Sequence, residues 1–260
     1  MAKPLQDRVV LVTGASRRIG IGAAVARRAA ADGASVVLHT WSPHDAEQPW
    51  GADEDGPRAL TGELRAAGAR VLHVSADLAD PEAPRALVEA ARAEFGHLDA
   101  AVVNHARSSG QDLEALTAAE VDLSHAVNVR ASLLLVQAFA AQHDDARAGG
   151  RVVWFTSGQY HGAMPAELPY IATKAALHEL TRSLAVHLAP RGITVNCVDP
   201  GPNDTGYADE ESRAAVAAAN PGGRWGTPAD AARLVGWLLS DEAAWVTGQT
   251  VASDGGWSAR

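Results

Sequence analysis

The sequence predicts a single doubly wound α/β domain over residues 1–260, with a seven-stranded parallel sheet covered by helices on both faces. Three observations lead there. Short β-rich apolar runs alternate with longer amphipathic stretches along the whole chain. The runs are near-continuously apolar instead of alternating, the mark of strands buried on both faces. No linker or internal repeat interrupts the alternation, and a chain of this length suits one large α/β domain.

Strands are expected at Val9–Val12, Ser35–His39, Arg70–Val74, Ala100–Val103, Val152–Phe155, Ile193–Val198 and Gln249–Ala252. Helical patterns lie between them at about 20–32, 57–68, 81–95, 117–146, 168–190, 208–219 and 228–239. The alanine-rich stretches Ala23–Ala31 and Ala214–Ala219 are strong helix formers that pack closely. The first strand runs into Thr13-Gly14-Ala15-Ser16-Arg17-Arg18-Ile19-Gly20-Ile21-Gly22, and a helix follows. Glycines there allow a tight turn and close approach of a pyrophosphate, which a helix N-terminus attracts. After the second strand, residues 41–57 form an extended loop marked by Pro, Gly and acids. Its two tryptophans, Trp41 and Trp50, are read as anchors packing onto the body near the adenine side.

Composition excludes several functions. The net charge is −9 with no Lys/Arg-rich block, which argues against a nucleic-acid partner. The single cysteine, Cys197, leaves no internal disulfide or Cys-rich metal site and reads as buried strand filler. No metal constellation is visible, the spacing around His44 being too loose for one. No apolar run approaches a membrane span, and the N-terminus enters a strand without a signal-peptide layout. A soluble cytoplasmic protein is expected.

Tyr170-Ile171-Ala172-Thr173-Lys174 carries the chemistry. Tyr and Lys four apart on a helix share one face. An ammonium beside a phenol favours the ionised phenol, which suits Tyr170 to proton transfer. Ser157, at the end of the fifth strand, is placed to polarise a carbonyl beside that tyrosine.

Thr-Gly-x-x-x-Gly-x-Gly near the N-terminus, with Ser and Tyr-x-x-x-Lys downstream, resembles the short-chain dehydrogenase/reductase family, a Rossmann-fold family, over nearly the whole chain. The glycine loop departs from the family pattern. Either Gly20-Ile21-Gly22 is the Gly-Ile-Gly element and the loop is two residues longer, or Arg18 replaces the middle glycine and Gly20 closes the motif. The first is preferred, because Ala23-Ala24-Val25-Ala26 then continues the family's helix. The resemblance implies cofactor contacts from Gly14, Ser16, Arg17, Arg18, Gly20, Ile21 and Gly22. On the adenosine side it implies contacts from Thr40, from Asp77 with Leu78, and from Asn104 and Ala106. On the nicotinamide side it implies Tyr170, Lys174, Pro200, Gly201, Asn203 and Thr205. An acid ending the second strand would hold the adenosine ribose and repel a 2′-phosphate. Here no acid appears until Asp45, and Arg17 matches a position where NADP-dependent relatives often carry a basic residue. NADP(H) is therefore the expected cofactor.

The resemblance further implies that Asn128, inside the long helical pattern, holds a water linking Lys174 to solvent. It makes residues 203–226 a lid over the substrate and the chain a homotetramer or homodimer. Gln159, His161, Met164, Asn203 and Tyr207 are candidates for the substrate wall. The implied reaction is hydride transfer between NADP(H) and a carbonyl or secondary alcohol, with 3-oxoacyl thioesters among the candidate substrates. The alternative is a cofactor-binding sensor or scaffold without turnover; epimerisation or dehydration on this fold is a third possibility, for which the chain leaves little room.

Overall fold

The computed structural model describes residues 3–147 and 149–260. Seven parallel strands lie in the order β3-β2-β1-β4-β5-β6-β7. They are β1 (Val9–Val12), β2 (Ser35–Thr40), β3 (Val71–Ser75), β4 (Ala100–Val103), β5 (Arg151–Phe155), β6 (Thr194–Asp199) and β7 (Thr250–Ala252). Every expected strand is present, with ends displaced by at most one residue.

The β1 side chains show how the sheet is buried. Val10 and Val12 face a layer built by α1 (Ile21–Ala31), α3 (Gly56–Ala66) and α9 (Pro228–Leu239). Val9 and Leu11 face the opposite layer of α4 (Ala83–Phe95), α6 (Ala131–Gln142) and α7 (Leu168–Leu188). Small side chains set the approach of α1 to α9, with Ala23, Ala26 and Ala29 meeting Ala231 and Ala232 in one core. Cys197 is fully buried in β6, as expected of strand filler. No helix among the described residues is long and apolar enough to cross a membrane.

Two segments differ from expectation. The pattern at 117–146 is not one helix: α5 (Ala118–His125) and α6 are separated by a π turn, Ala126–Arg130. Such turns insert one residue into a helix and re-aim a side chain; here that side chain belongs to Asn128. The loop at 41–57 contains a five-residue helix, α2 (Ser42–Ala46), and is pinned along its length. Asp45 and Asp53 meet Arg17 and Arg18 of the glycine loop, while His44 and Glu47 meet Arg107. It is hereafter called the strap.

The segment 203–226 leaves and returns at one point. Asn203 and Gly226 form a bridge, Asp204 N–H donates to the Gly226 carbonyl, and Gly226 N–H donates to that of Pro202. Between these ends lies α8 (Glu210–Ala219), whose first turn is capped by the Asp209 side chain.

Candidate active site

Strand order reverses between β1 and β4, and ligands of open α/β sheets bind in the crevice beyond the strand C-termini at such a point. The glycine loop leaves β1 there. Gly14 has φ +70°, and a Cβ on it would lie 2.7 Å from His105 Cα. A Cβ on Gly22 would lie 2.5 Å from the Gly14 carbonyl oxygen and 2.8 Å from Asn104 Nδ2. Gly22 is therefore the glycine that lets helix and strand close together, which favours the longer loop. The additional residues fold into a turn in which Gly20 N–H donates to the Arg17 carbonyl over 3.0 Å. Gly20 caps α1 without a side chain, and the first turn carries no acid. No side chain competes for its first N–H groups, a fit for an anionic group such as a cofactor pyrophosphate.

Asn104, at the end of β4, holds this loop, its Nδ2 donating to the Thr13 and Gly14 carbonyls at 3.1 and 3.0 Å. Two buried histidines brace it from below. His39 Nδ1 accepts from Gly14 N–H at 3.3 Å, and its Nε2 donates to the Ala76 carbonyl at 2.9 Å. His105 pairs with the Thr13 hydroxyl at 2.8 Å and donates to the Val127 carbonyl at 2.9 Å. Burial pushes them down to about 4 and about 3, so both are neutral. His105 is thus structural.

Ser157, Tyr170 and Lys174 converge at the ends of β5 and β6. The Lys174 side chain is 3% exposed and its Nζ donates to the Phe155 carbonyl at 3.0 Å, 5.5 Å from the centre of the Tyr170 ring. Burial pushes Lys174 down to about 8. Burial pushes the Tyr170 phenol above its ordinary value, with the Ser157 hydroxyl pulling the other way. The net direction is therefore opposite to the one expected from Lys174 alone: desolvation of the phenol outweighs the ammonium, which sits against the ring and a strand carbonyl.

Asn128 is 1% exposed, and its amide is consumed. Oδ1 accepts from Arg107 N–H at 2.6 Å, while Nδ2 donates to the Arg107 carbonyl at 3.0 Å and to Thr173 Oγ1 at 2.9 Å. The side chain thus ties the segment after β4 to the helix that carries Tyr170 and Lys174. Asn128→Ala would leave the Arg107 N–H and carbonyl without their partner and remove one donor from Thr173 Oγ1, and its stability in urea unfolding is expected to fall by about 2–4 kcal/mol. A change below about 0.5 kcal/mol would contradict the tie.

The side chains of Arg18, Thr40, Leu78 and Gln159 point elsewhere. Arg18 forks onto Asp53 at 2.8 and 2.9 Å and lines an open cavity between α1 and α9. The Thr40 hydroxyl pairs with His73 Nε2 at 2.8 Å, and the Leu78 side chain is 3% exposed in the core. Gln159, expected on the substrate wall, folds back onto its own turn, accepting from Ser157 N–H at 3.1 Å and donating to Thr156 Oγ1 at 2.9 Å. Asp77 Oδ1 accepts from Ala79 N–H at 2.8 Å, and Asp80 holds the turn into α4 through Glu82 N–H. The Ser16 hydroxyl accepts from Trp41 N–H of the strap. Ile21 opens α1 and packs against the core, and Ala106 is half-buried beside Asn104. Pro200 accepts from Asn203 Nδ2, and the Thr205 carbonyl accepts from Arg17. Met164 is half-buried and Tyr207 exposed.

One pair escaped the sequence reading. Asp199 ends β6 with 1% exposure, and its Oδ2 lies 3.3 Å from His161 Nε2. Oδ1 accepts from Gly201 N–H at 2.9 Å. Asp199 therefore joins the turn after Ser157 to the Pro200-Gly201 turn. The available signal was an acid closing a β-rich run directly before Pro-Gly.

A family model described as enoyl-(acyl carrier protein) reductase matches residues 14–258. "Uncharacterized oxidoreductase YjdA" of Bacillus subtilis is 38% identical over 96% of this chain and 97% of its own. "L-rhamnose 1-dehydrogenase (NAD(P)(+))" of a Sphingomonas species is 35% identical, over 98% of this chain and 97% of its own. The crystal structure of a Burkholderia cenocepacia short chain dehydrogenase in complex with NADP superposes with a TM-score of 0.85 at 36% identity, covering 97% of this chain and 98% of that one. Full-length matches and a seven-stranded parallel sheet agree with the Ser157–Tyr170–Lys174 convergence: the chain belongs to the short-chain dehydrogenase/reductase family of nicotinamide-dependent oxidoreductases.

Proposed function

We propose that this chain is an NADP(H)-dependent reductase of ketones or their alcohol counterparts. The observation that carries it is the meeting of Ser157, Tyr170 and a buried Lys174 at the strand ends, beside the glycine loop. The cofactor would be held by the first turn of α1 from Gly20, Ile21 and Gly22, by Gly14, by Asp77, Asn104 and Ala106, and by the 200–205 turn. Lys174 supports this, since among the described residues its ammonium donates one hydrogen bond and keeps further donors for a ribose. Arg17 supports the phosphorylated cofactor, and the neighbour solved with NADP is consistent with it. When bound, the reduced nicotinamide supplies the hydride.

In the reductive direction, Ser157 Oγ donates to the substrate carbonyl oxygen and fixes its orientation. Tyr170 Oη, held protonated by burial, gives that oxygen its proton. Lys174 stabilises the phenolate as charge develops, where a fixed cation in a dry site is most effective. Asn128 positions the helix carrying both, and we retain for its π turn the proposed link between Lys174 and solvent. Residues 203–226 act as the lid, with Met164, His161 and Tyr207 facing substrate. Helices α5 to α7 form the subunit contacts of a homotetramer or homodimer.

Lys174 is charged below about 8, so kcat/KM for reduction should be level up to that pH and fall above it. A profile level to about pH 10 would remove the Lys174 charge from the mechanism. The function itself is tested by oxidation of NADPH against NADH with a panel of ketones that includes a 3-oxoacyl thioester, a diketone and a quinone. Turnover with NADPH supports the proposal, and a clear preference for NADH would overturn its cofactor half. Tight NADPH binding without turnover would favour the sensor reading.

A further inference from the structure

The strap brings its own carboxylate to the arginine on which the NADP(H) reading depends. Arg17 Nε lies 3.3 Å from Asp45 Oδ1, and both side chains are largely buried, at 17% and 16% exposure. Trp50 Nε1 donates to the same Asp45 oxygen at 3.3 Å, and the Trp50 ring lies 5.3 Å from the Arg17 guanidinium. Arg17 Nη1 donates to the Thr205 carbonyl at 2.9 Å. The guanidinium is thus fixed by a strap tryptophan and a carbonyl beyond β6, while one edge is occupied by a carboxylate.

A carboxylate and a phosphate monoester compete for the same face of a guanidinium, because both present paired anionic oxygens to its fork. An acid ending β2 would exclude a 2′-phosphate outright. Asp45 lies five residues beyond that end, so it reaches the same charge from a separate segment.

We propose that Asp45 is an internal occupant of Arg17, and that this carboxylate sets how strongly the chain distinguishes a 2′-phosphorylated adenosine from an unphosphorylated one. This rests on the reading above that Arg17 serves the cofactor's 2′-phosphate. Asp45 holds the preference below what Arg17 alone would give. Arg18 has no part in it, since Asp53 holds it in the cavity between α1 and α9.

Calorimetric titration with adenosine 2′,5′-bisphosphate and adenosine 5′-monophosphate tests this without turnover. Asp45→Asn keeps the acceptor for Trp50 and removes the charge. It is expected to tighten the bisphosphate about five- to tenfold and leave the monophosphate within about twofold. Arg17→Gln should abolish the bisphosphate preference, and Asp53→Asn should leave both ligands within about twofold of wild type.

If wild type prefers the bisphosphate through Arg17 but Asp45→Asn does not raise that preference, the role of Asp45 is overturned and the NADP(H) reading stands. Weaker monophosphate binding by Asp45→Asn would make Asp45 a ribose acceptor and also overturn it. If neither wild type nor Asp45→Asn distinguishes the two ligands and Arg17→Gln changes nothing, the NADP(H) reading itself fails and takes the proposal with it.

Discussion

Tyr170→Phe is expected to lower kcat for ketone reduction by about 10³-fold while NADPH affinity stays within about threefold. The substitution removes one hydroxyl and leaves the ring against the Lys174 ammonium. The helix is undisturbed, because the nearby hydrogen bond runs from Thr173 Oγ1 to the Tyr170 backbone carbonyl. What is lost is the proton donor. Burial holds the phenol protonated at neutral pH, the state that reduction requires. Ser157 would still polarise the carbonyl, so a residue of activity above the uncatalysed rate remains. The comparison is Lys174→Met, which should weaken cofactor binding as well as kcat, since its ammonium donors are proposed to meet the ribose. Separate measurement of cofactor affinity and single-turnover rate distinguishes the two variants. A Tyr170→Phe enzyme within about tenfold of wild type would remove Tyr170 as the proton donor. Unchanged function in the cell despite lost turnover would favour the sensor reading.

The same comparison of residues shows what the sequence made legible. Strands buried on both faces leave continuous apolar runs, so β1 and β4 were placed to the residue. Ser157, Tyr170 and Lys174 were legible because helix spacing and strand ends are local properties. The departures share a physical cause, which is that they depend on contacts between distant segments. The π turn adds one residue at Asn128 without altering the hydrophobic pattern. The strap acids looked like loop composition, and only the fold brings Asp45 and Asp53 to Arg17 and Arg18. Gln159 reads as available to substrate from its place after Ser157, and only the fold turns its amide back onto Thr156 and Ser157. The net shift of Tyr170 is upward because burial of the phenol, which spacing cannot show, outweighs the Lys174 ammonium, which spacing can.

Acid should begin to destabilise this protein above the range in which its carboxylates titrate, because of the two neutral histidines beneath the glycine loop. In the folded chain His39 titrates at about 4 and His105 at about 3, both lowered first by burial. For His39 the Ala76 carbonyl opposes the shift and His73 adds to it; for His105 the neighbouring His39 adds to it and the Val127 carbonyl opposes it. Unfolded, each histidine titrates near about 6.5. Between that pH and the folded values, unfolding takes up a proton at each position. The stabilisation is therefore complete above about pH 6.5 and is lost as pH falls toward about 4. Two protons correspond to a slope of about 2.7 kcal/mol per pH unit, or roughly 5 kcal/mol across the window, comparable with the whole stability of many domains. Burial also lowers His44, His73 and His143, which adds to the same slope. Urea unfolding at a series of pH values measures it. His105→Gln can still donate to the Val127 carbonyl but loses the pairing with Thr13, so it should be less stable at neutral pH. The decisive readout is its slope, which should fall by about 1.4 kcal/mol per pH unit whatever the absolute loss. A wild-type slope in His105→Gln would place the acid sensitivity elsewhere. A reduced slope would establish that His105, next to Asn104 at the end of β4, carries a buried, uncharged imidazole on which the glycine loop rests.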